Sequence, residues 1–532
     1  MARRVKCDEQ RPSCWRCTSA GRECKGYGIW TDSQHLDRPA ANSLNVLYSL
    51  RNTGPVGRLS TEDRQVFEWC MLANLHGVFP FPFLESLLPQ ACYNESAVLY
   101  CVLALGSVHK KAFMIQLATA SPCDIENLQS ATLRHYNTAI SLVNGSQHVR
   151  SRTSTRVALM VCLTFVLIEY LQKRPMQGLL HLQHGLRILR SYEEDDGTHQ
   201  STRDPVDDWL ADAFHRFDVQ TKLLLNTSTQ HQPCLEAQAT KNNPTAFISL
   251  HEARQQLDHL VSETFQLQRK GRVAQTSADI GHSFEALATQ QRLHGDLRSW
   301  LEAYRAWQAK PSPSSLPPPR PYQQEVARHL LSIYHMMAYI ITATALDSGD
   351  ESVFDRYTSQ FASILASSKD VIQVPRPVTS GRLSPCGAYT LHFGFTSDLG
   401  LIPVLYYTAL KCRDPRMRRD ALAMLATETR QEGIWDGTTA ALIAAEVIRI
   451  EEALCPPEQS DAHDEWVDVA NGSDDSVSSG SPSSQSQPWR ISDVEVKLPR
   501  DSEATLEIIC RRKLLDGTSI TVERKHNGTY WY

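Results

Sequence analysis

Residues 157–168 read VALMVCLTFVLI, from Val157 to Ile168, and this longest apolar run of the chain stops at Glu169. A bilayer span needs roughly twenty such residues as a helix, so the run is too short to be one and reads as a helix buried in a protein core. No membrane partner is expected. Apolar positions recur with the same helical period on either side, at about 93 to 113, 124 to 144, 153 to 172, 176 to 192 and 206 to 226. Upstream, Ser60-Thr61-Glu62-Asp63 offers a capped helix start, and Val66, Trp69, Cys70 and Ala73 then share one face. Leu179, Leu182, Leu186 and Leu189 form a stripe that serves either a core or a partner surface.

The pattern resumes near 250 in long polar helices reaching 310, where Pro311 to Pro321 breaks it. That break divides the helical region into two lobes or marks a surface loop. Helices return from Tyr322 to about Ala345, and the last strong one spans Thr438 to Leu454, with Ile443, Val447, Ile450 and Leu454 as its buried face. The expected fold is mainly α: a large all-α domain over 59–455, with 311–321 as the point of division.

After 455 the composition changes. Residues 456–490 are rich in Ser, Asp, Pro, Gly and Gln, the composition of a disordered linker. Within them Asp464-Glu465-Trp466-Val467-Asp468-Val469 alternates acids with bulky apolar groups, as an acidic activation segment or a plain acidic linker would. Residues 491–532 then take a period of two. Val494 to Leu498, Thr505 to Lys513, Ser519 to Lys525 and Thr529 to Tyr532 read as strands of an antiparallel meander, with Asp516-Gly517 and Asn527-Gly528 as hairpin turns. So small a sheet needs a surface to pack on, either the helical body or a partner.

The chain has 532 residues, of which 42% are hydrophobic and 21% charged, a composition that supports a large core. No phosphate loop, dinucleotide-binding glycine pattern, nucleophile elbow or paired-histidine zinc motif occurs, and the chain is not expected to be an enzyme. His181 and His184 stand three apart without a carboxylate to complete a metal triad, and Glu193-Glu194-Asp195-Asp196 reads as a solvated loop.

The first residues carry the functional signal. Cys7, Cys14, Cys17 and Cys24 stand as C-x6-C-x2-C-x6-C, with Cys14 and Cys17 spaced to chelate one ion. Four thiolates suit zinc in a closed structural site. A disulfide framework is the weaker reading, because Met1-Ala2-Arg3-Arg4-Val5-Lys6 lacks the apolar core of a secretory signal. The other ten cysteines have no ligand spacing and read as reduced core thiols. Residues 1 to 25 carry seven cations against Asp8, Glu9 and Glu23, while the whole chain has a net charge of −5. A basic segment on an acidic protein is an electrostatic footprint for phosphate.

Arg3-Arg4-Val5-Lys6-Cys7-Asp8, Arg11-Pro12-Ser13-Cys14-Trp15-Arg16-Cys17 and Cys24-Lys25-Gly26-Tyr27-Gly28 resemble the later two-thirds of the fungal binuclear zinc cluster, the DNA-binding module of a class of fungal transcription regulators. That module holds two zinc ions with six cysteines, and Cys7, Cys14, Cys17 and Cys24 match the third to sixth. The first two are absent, so one closed zinc site at most is expected of this chain. Either the start has been assigned one exon too late, or the product has lost DNA binding. The resemblance implies that Arg3, Arg4 and Lys6 lie at the end of a short helix in the major groove of double-stranded DNA, reading a CGG-type triplet. Residues 1–25 are thus a partial zinc cluster and 26–58 a linker without the heptads of a coiled coil.

The helical body, with Gly433-Ile434-Trp435-Asp436 and Arg449-Ile450-Glu451-Glu452 near its end, resembles the regulatory domain that follows the cluster in these factors. The expected function is zinc-dependent, sequence-specific regulation of RNA polymerase II genes in the nucleus, with the genes of one pathway as its narrower form and with DNA, the transcription machinery and a second copy of the chain as partners. The alternative is a helical interaction protein that no longer binds DNA.

Overall fold

The computed structural model describes residues 54–146, 151–196, 205–225, 246–276, 280–309, 321–374, 394–454, 490–498, 505–513 and 519–526, apart from positions 74, 76, 348, 349, 428 and 429. The described chain forms two compact units, the first reaching Asp218 and the second starting at Val219. The proline-rich run up to residue 320, the 456–489 linker and the expected strand Thr529 to Tyr532 lie outside the described residues.

The first unit contains α1 (Thr61–Leu72), α2 (Leu88–Cys92), α3 (Ser96–Gln116), α4 (Pro122–Ser146), α5 (Arg152–Leu171) and α6 (Pro175–Asp196), and α7 (Pro205–Leu225) carries the chain onward. Several of the helix starts have a local cause. Ser60 Oγ accepts a hydrogen bond from the Asp63 backbone at 3.1 Å, capping α1 as expected. Ser151 and Ser154 form a reciprocal capping box at the start of α5. Proline opens α4, α6 and α7, where its missing N–H costs no helical hydrogen bond.

The run from Val157 to Ile168 is the buried body of α5. The helix extends beyond the run, so α5, like α3, is long and apolar enough to cross a membrane by length and composition. Both are core helices, most of their surface being covered by their neighbours. Leu179, Leu182, Leu186 and Leu189 are all buried, which assigns the leucine stripe to the core. Close approach of α1 to α3 depends on Gly106, where a Cβ would stand 2.8 Å from the Val66 carbonyl oxygen. Glu193 to Asp196 continue α6 and do not form the loop that their charge suggests, since glutamate sustains a helix better than it sustains a turn.

The second unit contains α8 (Leu250–Thr276), α9 (Ile280–Gln308), α10 (Pro321–Thr344), α11 (Thr358–Gln373), α12 (Ile402–Lys411), α13 (Pro415–Thr427) and α14 (Gly437–Leu454). Trp300 of α9 lies between Tyr304 and His335, with ring centroids 4.9 and 5.2 Å away, and its Nε1 donates to the Ala253 carbonyl at 2.9 Å. That stack joins α8, α9 and α10. The helices α11 to α13 fall between the segments whose period the sequence makes plain.

A small sheet, unforeseen in the sequence, pairs β1 (Phe395–Thr396) in parallel with β2 (Gln431–Glu432), which pairs antiparallel with β3 (Trp435–Asp436). The expected meander is present as β4 (Asp493–Lys497), β5 (Leu506–Lys513) and β6 (Ser519–His526), with Val494 opposite Cys510 and Cys510 opposite Val522. Val496, Ile508 and Cys510 form its buried face. Its other face is laced by ion pairs, Arg511 with Asp493 and Glu507 with Lys497 and Lys525. The sheet lies on the helical body: Arg490 reaches Glu451 of α14 at 2.9 Å, and Arg524 reaches Glu446 at 3.1 Å.

Candidate functional site

The expected metal ligands Cys7, Cys14, Cys17 and Cys24, and the expected DNA contacts Arg3, Arg4 and Lys6, lie outside the described residues. Their donor chemistry suits zinc, because four thiolates complete one tetrahedral site. Among the described residues no group of three or more histidines, cysteines or carboxylates could hold a metal ion.

The thiols of Cys70, Cys92, Cys101 and Cys162 are unsuited to either metal or nucleophilic chemistry. Burial pushes Cys70 up to about 12 and Cys162 up to about 11, and it holds Cys92 and Cys101 well above the usual thiol range. A thiol so protonated is inert at neutral pH.

Two polar clusters stand inside the apolar units. In the second unit the guanidinium of Arg254 is shared between two carboxylates, with Nε 2.7 Å from Asp258 and Nη2 2.8 Å from Asp398. Burial alone would favour a neutral Arg254, but the two acids outweigh it and hold the cation. Next to Asp398, the Gln220 amide donates to the Ser397 carbonyl at 2.7 Å, and Trp435 Nε1 donates to the Gln220 carbonyl at 3.1 Å. The Glu432 carboxylate accepts from the backbone of Gly400, Leu401 and Ile402 at 2.8, 3.0 and 3.1 Å, which satisfies the start of α12. Gly433 bends between β2 and β3 with φ +58°. This network ties α7, α8, α12 and the Gly433-Ile434-Trp435-Asp436 turn together. Its carboxylates Asp258, Asp398 and Glu432 are all engaged in ion pairs or backbone hydrogen bonds.

In the first unit a second cluster gathers where α3, α4, α5 and α6 meet. The Tyr136 hydroxyl lies 2.9 Å from His181 Nε2, with the Glu169 carboxyl close enough to raise the phenol's proton affinity. Burial raises the Glu169 carboxyl above the usual range, and it lowers His181 to about 4 with help from His184. His181 is therefore a neutral, half-buried partner of Tyr136, and His184 is exposed, which agrees with the absence of a metal triad. The sequence gives no sign of either cluster, because Tyr136, Glu169 and His181 lie on three helices and Arg254 and Asp398 are 144 positions apart.

Comparison with known proteins places these features in a family. Residues 63–367 match the fungal specific transcription factor domain, and residues 2–33 match the fungal Zn(2)-Cys(6) binuclear cluster domain. The chain is also similar to the aspercryptin biosynthesis cluster-specific transcription regulator of Emericella nidulans, at 24% identity over 85% of this chain and 86% of that relative. No solved structure matches the chain.

Proposed function

The chain belongs to the fungal specific transcription factor family, and from that premise we propose that it is a zinc-dependent, sequence-specific DNA-binding regulator of RNA polymerase II genes. Its place in the family makes it a transcription regulator, not an enzyme, and implies zinc binding, DNA as a partner and a nuclear location. The observation that carries the reading is the order of two matched modules, a zinc cluster at 2–33 followed by a regulatory domain from 63. The relative's name adds a narrower reading, regulation of the genes of one biosynthetic pathway.

Cys7, Cys14, Cys17 and Cys24 would hold the metal. Bound zinc supplies the folding free energy that so short a segment cannot draw from a core. Arg3 and Arg4 would then pair with guanine O6 and N7 of a CGG-type half-site, and Lys6 would grip a base or a phosphate. Two copies of the chain would occupy paired half-sites. The count of four thiolates favours one closed site in this chain and keeps the second reading in play, a helical interaction protein without DNA binding.

Zinc content and duplex binding of the full chain decide between them. The regulator reading expects saturable binding to a CGG-containing duplex that falls steeply with salt and disappears in Cys14→Ser. A zinc-loaded chain that binds no duplex overturns it in favour of the interaction protein. The same measurement on a chain extended upstream in its reading frame tests whether two further cysteines restore a second zinc.

A further inference from the structure

The C-terminal sheet has an open side. Its strands run in the order β4-β5-β6, so β6 is an edge, and among the described residues no strand pairs with its outer side. An edge strand presents a row of backbone N–H and C=O groups to any strand that comes near, and the eight residues of β6 include no proline to block one. The face that rests on the helical body is also incompletely covered there. Ile508 and Cys510 of β5 are fully buried, and Arg524 and Val522 of β6 stand opposite them. Ile520 shares their face by alternation, yet it is 39% exposed, Val522 is only half-buried, and the Arg524 side chain stays 44% exposed beside Glu446.

The chain carries a fitting occupant. β6 ends at His526, and Asn527-Gly528 and then Thr529-Tyr530-Trp531-Tyr532 follow. Asn-Gly is the preferred pair for a two-residue type I′ hairpin turn, because both of its positions need φ > 0, and the residues after it are all strand formers. A two-residue loop leaves one register: Thr529 opposite His526, Tyr530 opposite Lys525, Trp531 opposite Arg524 and Tyr532 opposite Glu523.

We infer that Thr529 to Tyr532 dock on the outer edge of β6 and close it, with Trp531 on the body side against Arg524 and Val522. Opposed residues share a face of a sheet, so the Trp531 indole covers the open side of the Arg524 guanidinium, a cation–π contact, together with the apolar margin at Val522. Tyr530 and Tyr532 fall on the outer face beside Lys525 and Glu523. The docked segment thereby denies the edge to a second copy of the chain. This docking does not rest on the DNA-binding reading.

Amide exchange of the full chain, followed by mass spectrometry, tests the docking. In a chain ending at Gly528 the outward amides of β6 are expected to exchange about tenfold faster, the loss of a typical hydrogen bond, while β4, β5 and α14 stay protected. Gly528→Val, which keeps the segment but disfavours the turn, should do the same. Disulfide trapping reads the register without a shortened chain. Glu523→Cys with Tyr532→Cys, opposed on one face, should cross-link under mild oxidation, whereas Glu523→Cys with Trp531→Cys, on opposite faces, should not. Protection of β6 that is unchanged in the shortened chain overturns the docking. So does protection that fades on dilution of the full chain, which would assign the edge to a second copy, and so does equal cross-linking of the two cysteine pairs.

Discussion

Gly433 and His109 show how much single residues decide. At Gly433 the backbone takes φ +58°, and a Cβ would overlap the Gln220 amide that holds Ser397. Gly433→Ala should therefore cost about 1–3 kcal/mol from the backbone alone, more with the displaced amide, and denaturant unfolding followed by circular dichroism measures it. His109 is a different case. Its Nδ1 accepts from Trp69 Nε1 at 3.0 Å, and burial lowers it to about 4 from the usual 6.5. The unfolded chain thus takes up a proton at higher pH than the folded one. Stability from this group is complete above the unfolded value of 6.5 and is lost as pH falls from there towards about 4. The unfolding temperature should drop across that window, and His109→Gln, which keeps an acceptor for Trp69 without titrating, should flatten the slope. Neither role is visible in the sequence: Gly433 could serve any turn, and nothing near His109 announces Trp69, 40 positions away.

At the scale of elements, the C-terminal sheet depends on one buried contact set. Arg490 donates to Glu451 at 2.9 Å and to the carbonyls of Leu410 and Cys412 at 3.1 and 3.0 Å, while the Ile491 N–H donates to the other Glu451 oxygen at 2.8 Å. Removing Arg490 leaves Glu451 paired with Arg418 at 2.7 Å but strips the Leu410 and Cys412 carbonyls of a donor, at a cost of about 1–3 kcal/mol. Arg490→Ala should release β4 to β6 from α14 and raise amide exchange there, with α3 and α5 still protected. Unchanged exchange in the strands would place the anchorage elsewhere. Element types were legible wherever the period was long: α3 to α7 appear near their expected places, as do β4 to β6. Those missed were α11 to α13 and β1 to β3; the three strands, of two residues each, are too short to show a period and exist because neighbouring strands complete their hydrogen bonds. The two-residue strand β1 is an example, since its partner β2 begins only at Gln431.

For the whole molecule, the helical units hold their stability in their own cores, whereas the N-terminal segment would draw its stability from metal. A strong zinc chelator is therefore expected to abolish duplex binding and to leave the main unfolding transition of the helices in place, as calorimetry with and without chelator would show. A large fall in that transition would mean that the metal supports the body as well. The sequence by itself determined the class of the protein. Thiolate spacing specifies a metal and basic residues a phosphate polymer, while sustained helical and alternating periods specify helices and strands, and all of these are local patterns that a linear chain can carry. Only the tertiary structure decided that the leucine stripe is core and that the C-terminal strands rest on α14. It alone brought Glu169, Tyr136 and His181 to one junction. Burial and long-range charge pairing depend on which distant residues become neighbours, and no local pattern encodes that.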